Sequence, residues 1–207
     1  LGLRISLDAD VEVVNPHWDD RYREYWTAYH DVMGRLGVSP EAARIEVRST
    51  TTVIGAIMLR RGEADAMLCG TDGRFRQHLQ CVTDVVGPAP GVQGLSTLVA
   101  HAHDAGTLFI CDTHVTPTPN AEEVVDMTLM AAEEVRRFGV TPNVALLSRS
   151  NFGSHHSADA QKMRRALALL QERAPELDVD GEMNADAALL PAVRDLALPG
   201  SRLRGRA

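Results

Sequence analysis

The feature that most constrains this chain is the alternation in its C-terminal half, where short apolar runs pass through polar loops into segments of helical period. Val144-Ala-Leu-Leu147 is a short apolar run bounded by turn-forming residues, which predicts a buried strand. Ser148 to Ser157 is polar and contains glycine. From about Asp159 to Arg173, Met163, Ala166, Leu167 and Leu170 return on one helical face. A short strand closing at Val179, the turn Asp180-Gly-Glu-Met183 and a last helix near Ala185–Leu196 complete the series. Strands joined through helices call for crossover connections, so a partly parallel sheet covered by helices is expected, in an α/β chain.

The remaining segments fit around this unit. Tyr22, Tyr25, Trp26, Tyr29, Met33 and Leu36 recur at three- and four-residue steps and predict a helix over about 18–36, stopped by Gly37. Most of the few aromatic residues stand there, so that face is expected to pack against another element rather than stack on a cofactor. Ser39-Pro40 reads as an N-cap with proline at the first helical position. A further helix is expected from Thr52 to Arg61, a short buried strand from Ala64 to Cys69, and helix from about Arg74 to Val86. Leu95–His101 and Thr107–Cys111 read as a hairpin turning at Ala105-Gly106. Asp112 to Pro119 is turn-rich. The clearest helix follows, with Val124, Met127, Thr128, Ala131, Val135 and Phe138 on one face, Glu122 and Glu123 at its start and Gly139 at its end.

A length of 207 residues suits one large domain or two small lobes, and 44% hydrophobic residues can furnish a core. The net charge of -7 argues against nucleic acid or an anionic membrane as partner. No run approaches the roughly 18 apolar residues of a membrane span. Three cysteines without metal or redox spacing fit a reducing, cytoplasmic compartment, with Cys69 and Cys111 expected buried. Arg60-Arg61, Arg136-Arg137 and Arg164-Arg165 read as solvated helix faces or last turns. His101 and His103 share a strand face beside a turn, and His155-His156 read as a surface pair; no metal-ligand pattern emerges. Leu1 and the stretch Gly200 to Ala207 read as cut ends.

Chemistry is expected where the strand 144–147 opens into its loop. Ligands of open α/β sheets bind beyond the carboxyl ends of strands, and backbone N–H groups at a helix start favour an anion. Ser148, Ser150 and Ser154 add hydroxyls, and Gly153 permits close approach. An ordinary polar turn capping a helix explains the same residues equally well. Cys69-Gly-Thr71, Asp112-Thr-His114 and Asp180-Gly-Glu182 would open on the same edge if the sheet is parallel there. Asp112, Asp180 and Glu182 can serve as base, metal ligand or orienting group, or simply as loop caps.

Thr52-Val-Ile-Gly-Ala-Ile-Met58, Arg61-Gly-Glu-Ala-Asp-Ala-Met-Leu-Cys-Gly-Thr71, Val144-Ala-Leu-Leu-Ser148, Ser150-Asn-Phe-Gly-Ser154 and Val179-Asp-Gly-Glu-Met183 resemble, in the same order along almost the whole chain, the phosphate acetyl/butyryltransferase family. Glu133-Glu-Val-Arg-Arg-Phe-Gly139 and the Ser150–Ser154 motif are similar to one subgroup, the C-terminal phosphotransacetylase-like domain of large bacterial NADP-dependent malic enzymes. The resemblance implies a three-layer phosphotransacetylase-like fold of the isocitrate/isopropylmalate dehydrogenase type, with two lobes around a cleft and a truncated C-terminus. It implies acetyl-CoA, CoA or an acyl phosphate as ligand, no cofactor or metal in this domain, a homo-oligomer, and NADP with a divalent metal only in an upstream malic-enzyme domain. The loops carrying Thr71, Asp112, Ser148, Ser150, Asn151, Gly153, Ser154 and Asp180 are expected to line that cleft and bind the ligand, together with Arg76, which loosely matches an arginine of a family motif. The family's serine, arginine and aspartate of catalysis fall beyond the segment matching Gly200–Ala207, which leaves the catalytic residues of this chain unassigned. Three readings follow: a regulatory acetyl-CoA-binding domain of a malic enzyme, an active phosphate acetyltransferase, or a structural oligomerisation lobe.

Overall fold

A computed structural model describes residues 4–6, 9–90, 92, 94–104, 106–112 and 115–207. The chain divides into two units, Leu1–Gly91 and Val92–Ala207.

Among the described residues the first unit is helical. Helix α1 (Tyr22–Met33) runs into a 3-10 turn, Gly34–Leu36, and Gly37 ends it with φ 93°. The expected aromatic face is buried at Tyr25, Tyr29 and Met33. Its other rings take arginine guanidinium groups: Arg44 lies 4.3 Å from the centre of Trp26 and Arg48 4.6 Å from that of Tyr22. Helix packing therefore accounts for the aromatic stripe. Helix α2 (Pro40–Ser49) is capped by Ser39, whose Oγ accepts from the N–H of Ala42, with proline at the first position as expected. Helices α3 (Thr51–Arg61) and α4 (Phe75–Val85) complete a core of Ala43, Val47, Val53, Ile54, Ala56, Ile57 and Val85.

The run Ala64 to Cys69 departs from expectation. It forms no strand, and Leu68 and Cys69 are exposed. The four helices fill the core from their own faces, and no described strand pairs with the run. Met67 packs against α3, its Sδ 2.5 Å from where a Cβ on Gly55 would stand.

Among the described residues the second unit holds two separate two-stranded sheets. Strands β1 (Leu98–His103) and β2 (Gly106–Cys111) pair antiparallel, as the expected hairpin; Ala105 in the turn lies outside the described residues. His101 and His103 are exposed, with ring centres 6.0 Å apart. Helix α5 (Ala121–Arg137) begins with a capping box: the Asn120 side chain accepts from the Glu123 N–H, and Glu123 accepts from the Asn120 N–H. Strand β3 (Asn143–Leu147) leads through the polar loop into helix α6 (Ala158–Arg173) and back to β4 (Asp178–Met183), parallel to β3. Val124, Val125 and Ala132 of α5 and Ala166, Leu169 and Leu170 of α6 close over Leu146 and Val179.

The expected turn at Asp180-Gly-Glu182 is instead the interior of β4. The expected last helix is two, α7 (Ala185–Leu189) and α8 (Pro191–Ala197), because Pro191 restarts the helix and holds Leu190 extended. The segment after α8 is tied down by the buried Arg194 and the half-buried Asn143. The Arg194 guanidinium donates to the carbonyls of Ala187, Ala188, Leu203 and Gly205, and the Asn143 amide donates to those of Arg204 and Arg206.

Candidate functional site

The loop 148–157 lies where β3 ends, and its shape is set from β4. The pairing of β3 with β4 matches Leu146 to Gly181 and Leu147 to Met183, so Glu182 is an extra residue on β4. A bulge of this kind re-aims a side chain. Gly181 makes it possible: its φ is 145°, and a Cβ there would stand 2.7 Å from the Leu146 carbonyl oxygen. The Glu182 side chain is consequently directed beneath the loop and is fully buried.

Three donors converge on one oxygen. Glu182 Oε1 accepts from Ser150 Oγ at 3.0 Å, from the Gly153 N–H at 3.1 Å and from the Arg164 guanidinium at 2.9 Å. The Glu182 carbonyl takes the Phe152 N–H at 2.7 Å. Glu182 Oε2 is buried without a hydrogen-bond partner. The loop is further closed by the Asn151 side chain, which accepts from the Asn184 N–H, and by Ser154 Oγ, which accepts from the Asn151 N–H. Phe152 has φ 47° and Gly153 has φ 85°. A left-handed phenylalanine is costly and persists only where its neighbours over-determine it. Ser157 caps α6 by accepting from the Ala160 N–H.

The predicted residues fall into several environments. Ser150 and Gly153 face inward onto Glu182. Ser148 is half-buried, its N–H bound to the Met183 carbonyl, and Ser154 stands at the surface. Asp180 is buried, and Ser201 Oγ, the Arg202 N–H and the Gly181 N–H all donate to it. It thus anchors the C-terminal segment. Asp112 follows β2, which pairs with β1 and belongs to a different sheet from β3 and β4. Its φ is 47°; one carboxylate oxygen accepts from the Thr116 N–H and the other is buried without a partner. Thr113 and His114 lie outside the described residues. Thr71 and Arg76 belong to the first unit and are exposed. The parallel pairing brings the Ser148 loop and the end of β4 to one sheet edge.

Two residues were underestimated. Arg164 was expected on a solvated face, yet it reaches the buried Glu182, whereas Arg165 and the Arg137 pair with Glu133 and Glu134 are at the surface. Glu182, which the sequence offers only as a base, metal ligand, orienting group or loop cap, is the residue on which the loop's donors converge. The available signal was the continued strand alternation, Val179, Gly181 and Met183. Of the thiols, Cys69 is exposed, contrary to expectation, and Cys111 is partly buried with its Sγ on the Met127 carbonyl. Burial pushes the Cys111 thiol up and that of Cys81 up to about 11. No group of three metal-ligating side chains occurs among the described residues, and none of the described helices is long and apolar enough to cross a membrane.

The profile of the phosphate acetyl/butaryl transferase family matches residues 1–207. The chain is 52% identical over 206 residues to an NAD-dependent malic enzyme of Rhizobium meliloti and 51% identical over 207 residues to an NADP-dependent malic enzyme of Escherichia coli. In both cases the match takes in all of this chain and 27% of the relative. A phosphate acetyltransferase of Nitratidesulfovibrio vulgaris is 33% identical over 204 residues, 98% of this chain and 29% of that protein. Among solved structures, EutD phosphotransacetylase from Staphylococcus aureus superposes with a TM-score of 0.79 at 24% identity, covering 98% of this chain and 62% of that one. A phosphotransacetylase from Streptococcus pyogenes gives 0.82 at 23% identity, with 97% and 61% covered. These two establish likeness of fold.

Proposed function

Since the chain belongs to the phosphate acetyl/butaryl transferase family, we propose that it is an acyl-CoA- or acyl-phosphate-binding domain that regulates a malic enzyme of which it forms a part. The observation that carries this reading is the contrast in similarity. Identity is 52% and 51% to two malic enzymes and 33% to a phosphate acetyltransferase, each across nearly all of this chain.

The geometry supports a binding role for the loop after β3. CoA and acyl phosphates are anionic and need donors already in place, because each mobile donor must be ordered at a cost in entropy. The Ser150 hydroxyl and Gly153 N–H are engaged with Glu182 and hold the loop's shape. Contact with ligand then falls to Ser148, Asn151 and Ser154 and to the exposed Arg149 beside them. Thr71, Arg76, Asp112 and Asp180 remain part of this reading. Asp180 acts indirectly, by fixing Ser201 and Arg202. The second reading, transfer of an acetyl group between CoA and phosphate, draws on the family and on the 33% relative. Such transfer needs donors placed where charge develops on the phosphoryl oxygens.

One experiment separates the two. The full-length protein is assayed for malate oxidation with and without acetyl-CoA, and for acetyl-CoA formation from CoA and acetyl phosphate. A changed oxidation rate without acetyl transfer is expected. Sustained acetyl-CoA formation would favour the transferase, and no effect of acetyl-CoA on either rate or thermal stability would remove the binding role.

A further inference from the structure

We propose that Glu182 is the positioning residue of the ligand loop, holding residues 148–154 in a strained, preformed shape through which acyl-CoA is recognised; the proposal rests on the binding role inferred above. The starting observation is backbone strain. Phe152 at φ 47° and Gly153 at φ 85° are consecutive left-handed residues, and only the second is a glycine. Such pairs do not persist on loop propensity alone, and they concentrate where a ligand is held. Here Glu182 holds both: its carbonyl takes the Phe152 N–H and its carboxylate takes the Gly153 N–H. The same carboxylate oxygen binds Ser150, earlier in the loop, and Arg164 of α6. One fully buried side chain thus ties the start of the loop, its strained apex and the following helix together.

The arrangement costs more than a purely structural tie requires. A carboxylate is removed wholly from water with its Oε2 unpartnered, and Arg164 is a single, part-exposed counter-charge. A neutral glutamine has the same shape and would accept the same bonds more weakly, because charge-assisted bonds are roughly twice as strong as neutral ones. The charge therefore serves the rigidity of the loop. Rigidity matters to affinity because a preformed loop is spared the entropy of ordering on binding.

The test uses the full-length protein, with acetyl-CoA as the titrated ligand and amide exchange read on peptides spanning 148–157. Glu182→Gln is expected to weaken acetyl-CoA binding about tenfold, the equivalent of ~1.4 kcal/mol. Exchange at Phe152 and Gly153 should rise while α6 and β3 keep wild-type protection. Ser150→Ala, which leaves the carboxylate and Arg164 in place, is expected to show the same pattern in smaller measure, and serves if Glu182→Gln fails to fold. Unchanged affinity in the folded variants, with or without faster loop exchange, would overturn the inference alone. Absence of acetyl-CoA binding in the wild-type protein would overturn the binding role and the inference together.

Discussion

Tyr25 shows how burial at one residue becomes a dependence on pH. Its side chain is buried and its hydroxyl donates to Glu63 at 2.8 Å. Burial first, and then the bond to a carboxylate, push the phenol from 10.0 up to about 12. The folded state keeps this proton after the unfolded state has lost it. The stabilisation is complete below pH 10 and is lost as pH rises towards 12. Urea midpoints should fall across that window, and Tyr25→Phe should shallow the fall without abolishing it, because burial also raises Tyr29 and Cys81. An equal slope in the variant would show that other groups dominate. The thiols make a second residue-level case. Cys69 is exposed, whereas Cys81 is part-buried with its thiol raised to about 11. A thiol reagent at neutral pH should modify Cys69 within the native protein and reach Cys81 and Cys111 on unfolding; mass spectrometry of the labelled peptides decides. Both cases turn on environment, which is why the sequence misplaced Cys69. An apolar run ending in cysteine looks the same whether or not a strand exists to pair with it.

Elements were legible where a local signal was complete. Ser39-Pro40, Asn120 with Glu123, and the glycines after α1, α3 and α5 mark helix ends through bonds made within a few residues. Asn120→Ala removes one side of the capping box of α5 and should cost about 1 kcal/mol, read as a lowered urea midpoint with an unchanged denaturant slope. An unaltered midpoint would mean that the tertiary contacts of α5 compensate. Elements were illegible where the deciding contact is distant. Asp180-Gly-Glu182 has the composition of a turn, and only the pairing with β3 makes it strand interior. Gly181 then acts by the space it leaves rather than by the turn it permits. Gly181→Ala would drive a methyl group into Leu146, whose carbonyl oxygen would lie 2.7 Å from the new Cβ. A loss of about 2–3 kcal/mol is expected, at the upper end of ordinary single substitutions, together with release of the loop that Glu182 holds. Arg164 was misjudged for the same reason: nothing within α6 distinguishes it from Arg165, and its partner is 18 residues away on β4.

At the scale of the molecule, each unit has a core that closes on its own elements. Tyr25, Val47 and Ile57 belong to a cluster drawn from α1 to α4. Leu146, Leu170 and Val179 belong to one drawn from α5, α6 and the parallel strands, and Met183, Ala187 and Leu203 form a second, smaller cluster in the same unit. The sequence suggested one large domain or two small lobes from length alone, although the stretch Gly87-Pro-Ala-Pro-Gly91 beside the join has the composition of a linker. Separate cores predict separate unfolding, since cooperativity follows shared buried surface. The chain carries its own probe. Both tryptophans, Trp18 and Trp26, lie in the first unit. Their fluorescence reports that unit, while far-UV circular dichroism reports helices of both. The two urea transitions are expected not to coincide, and acetyl-CoA bound at the loop after β3 should shift the dichroism transition more than the fluorescence one. Superimposable curves, shifted equally by ligand, would show that the two cores unfold as one cooperative body.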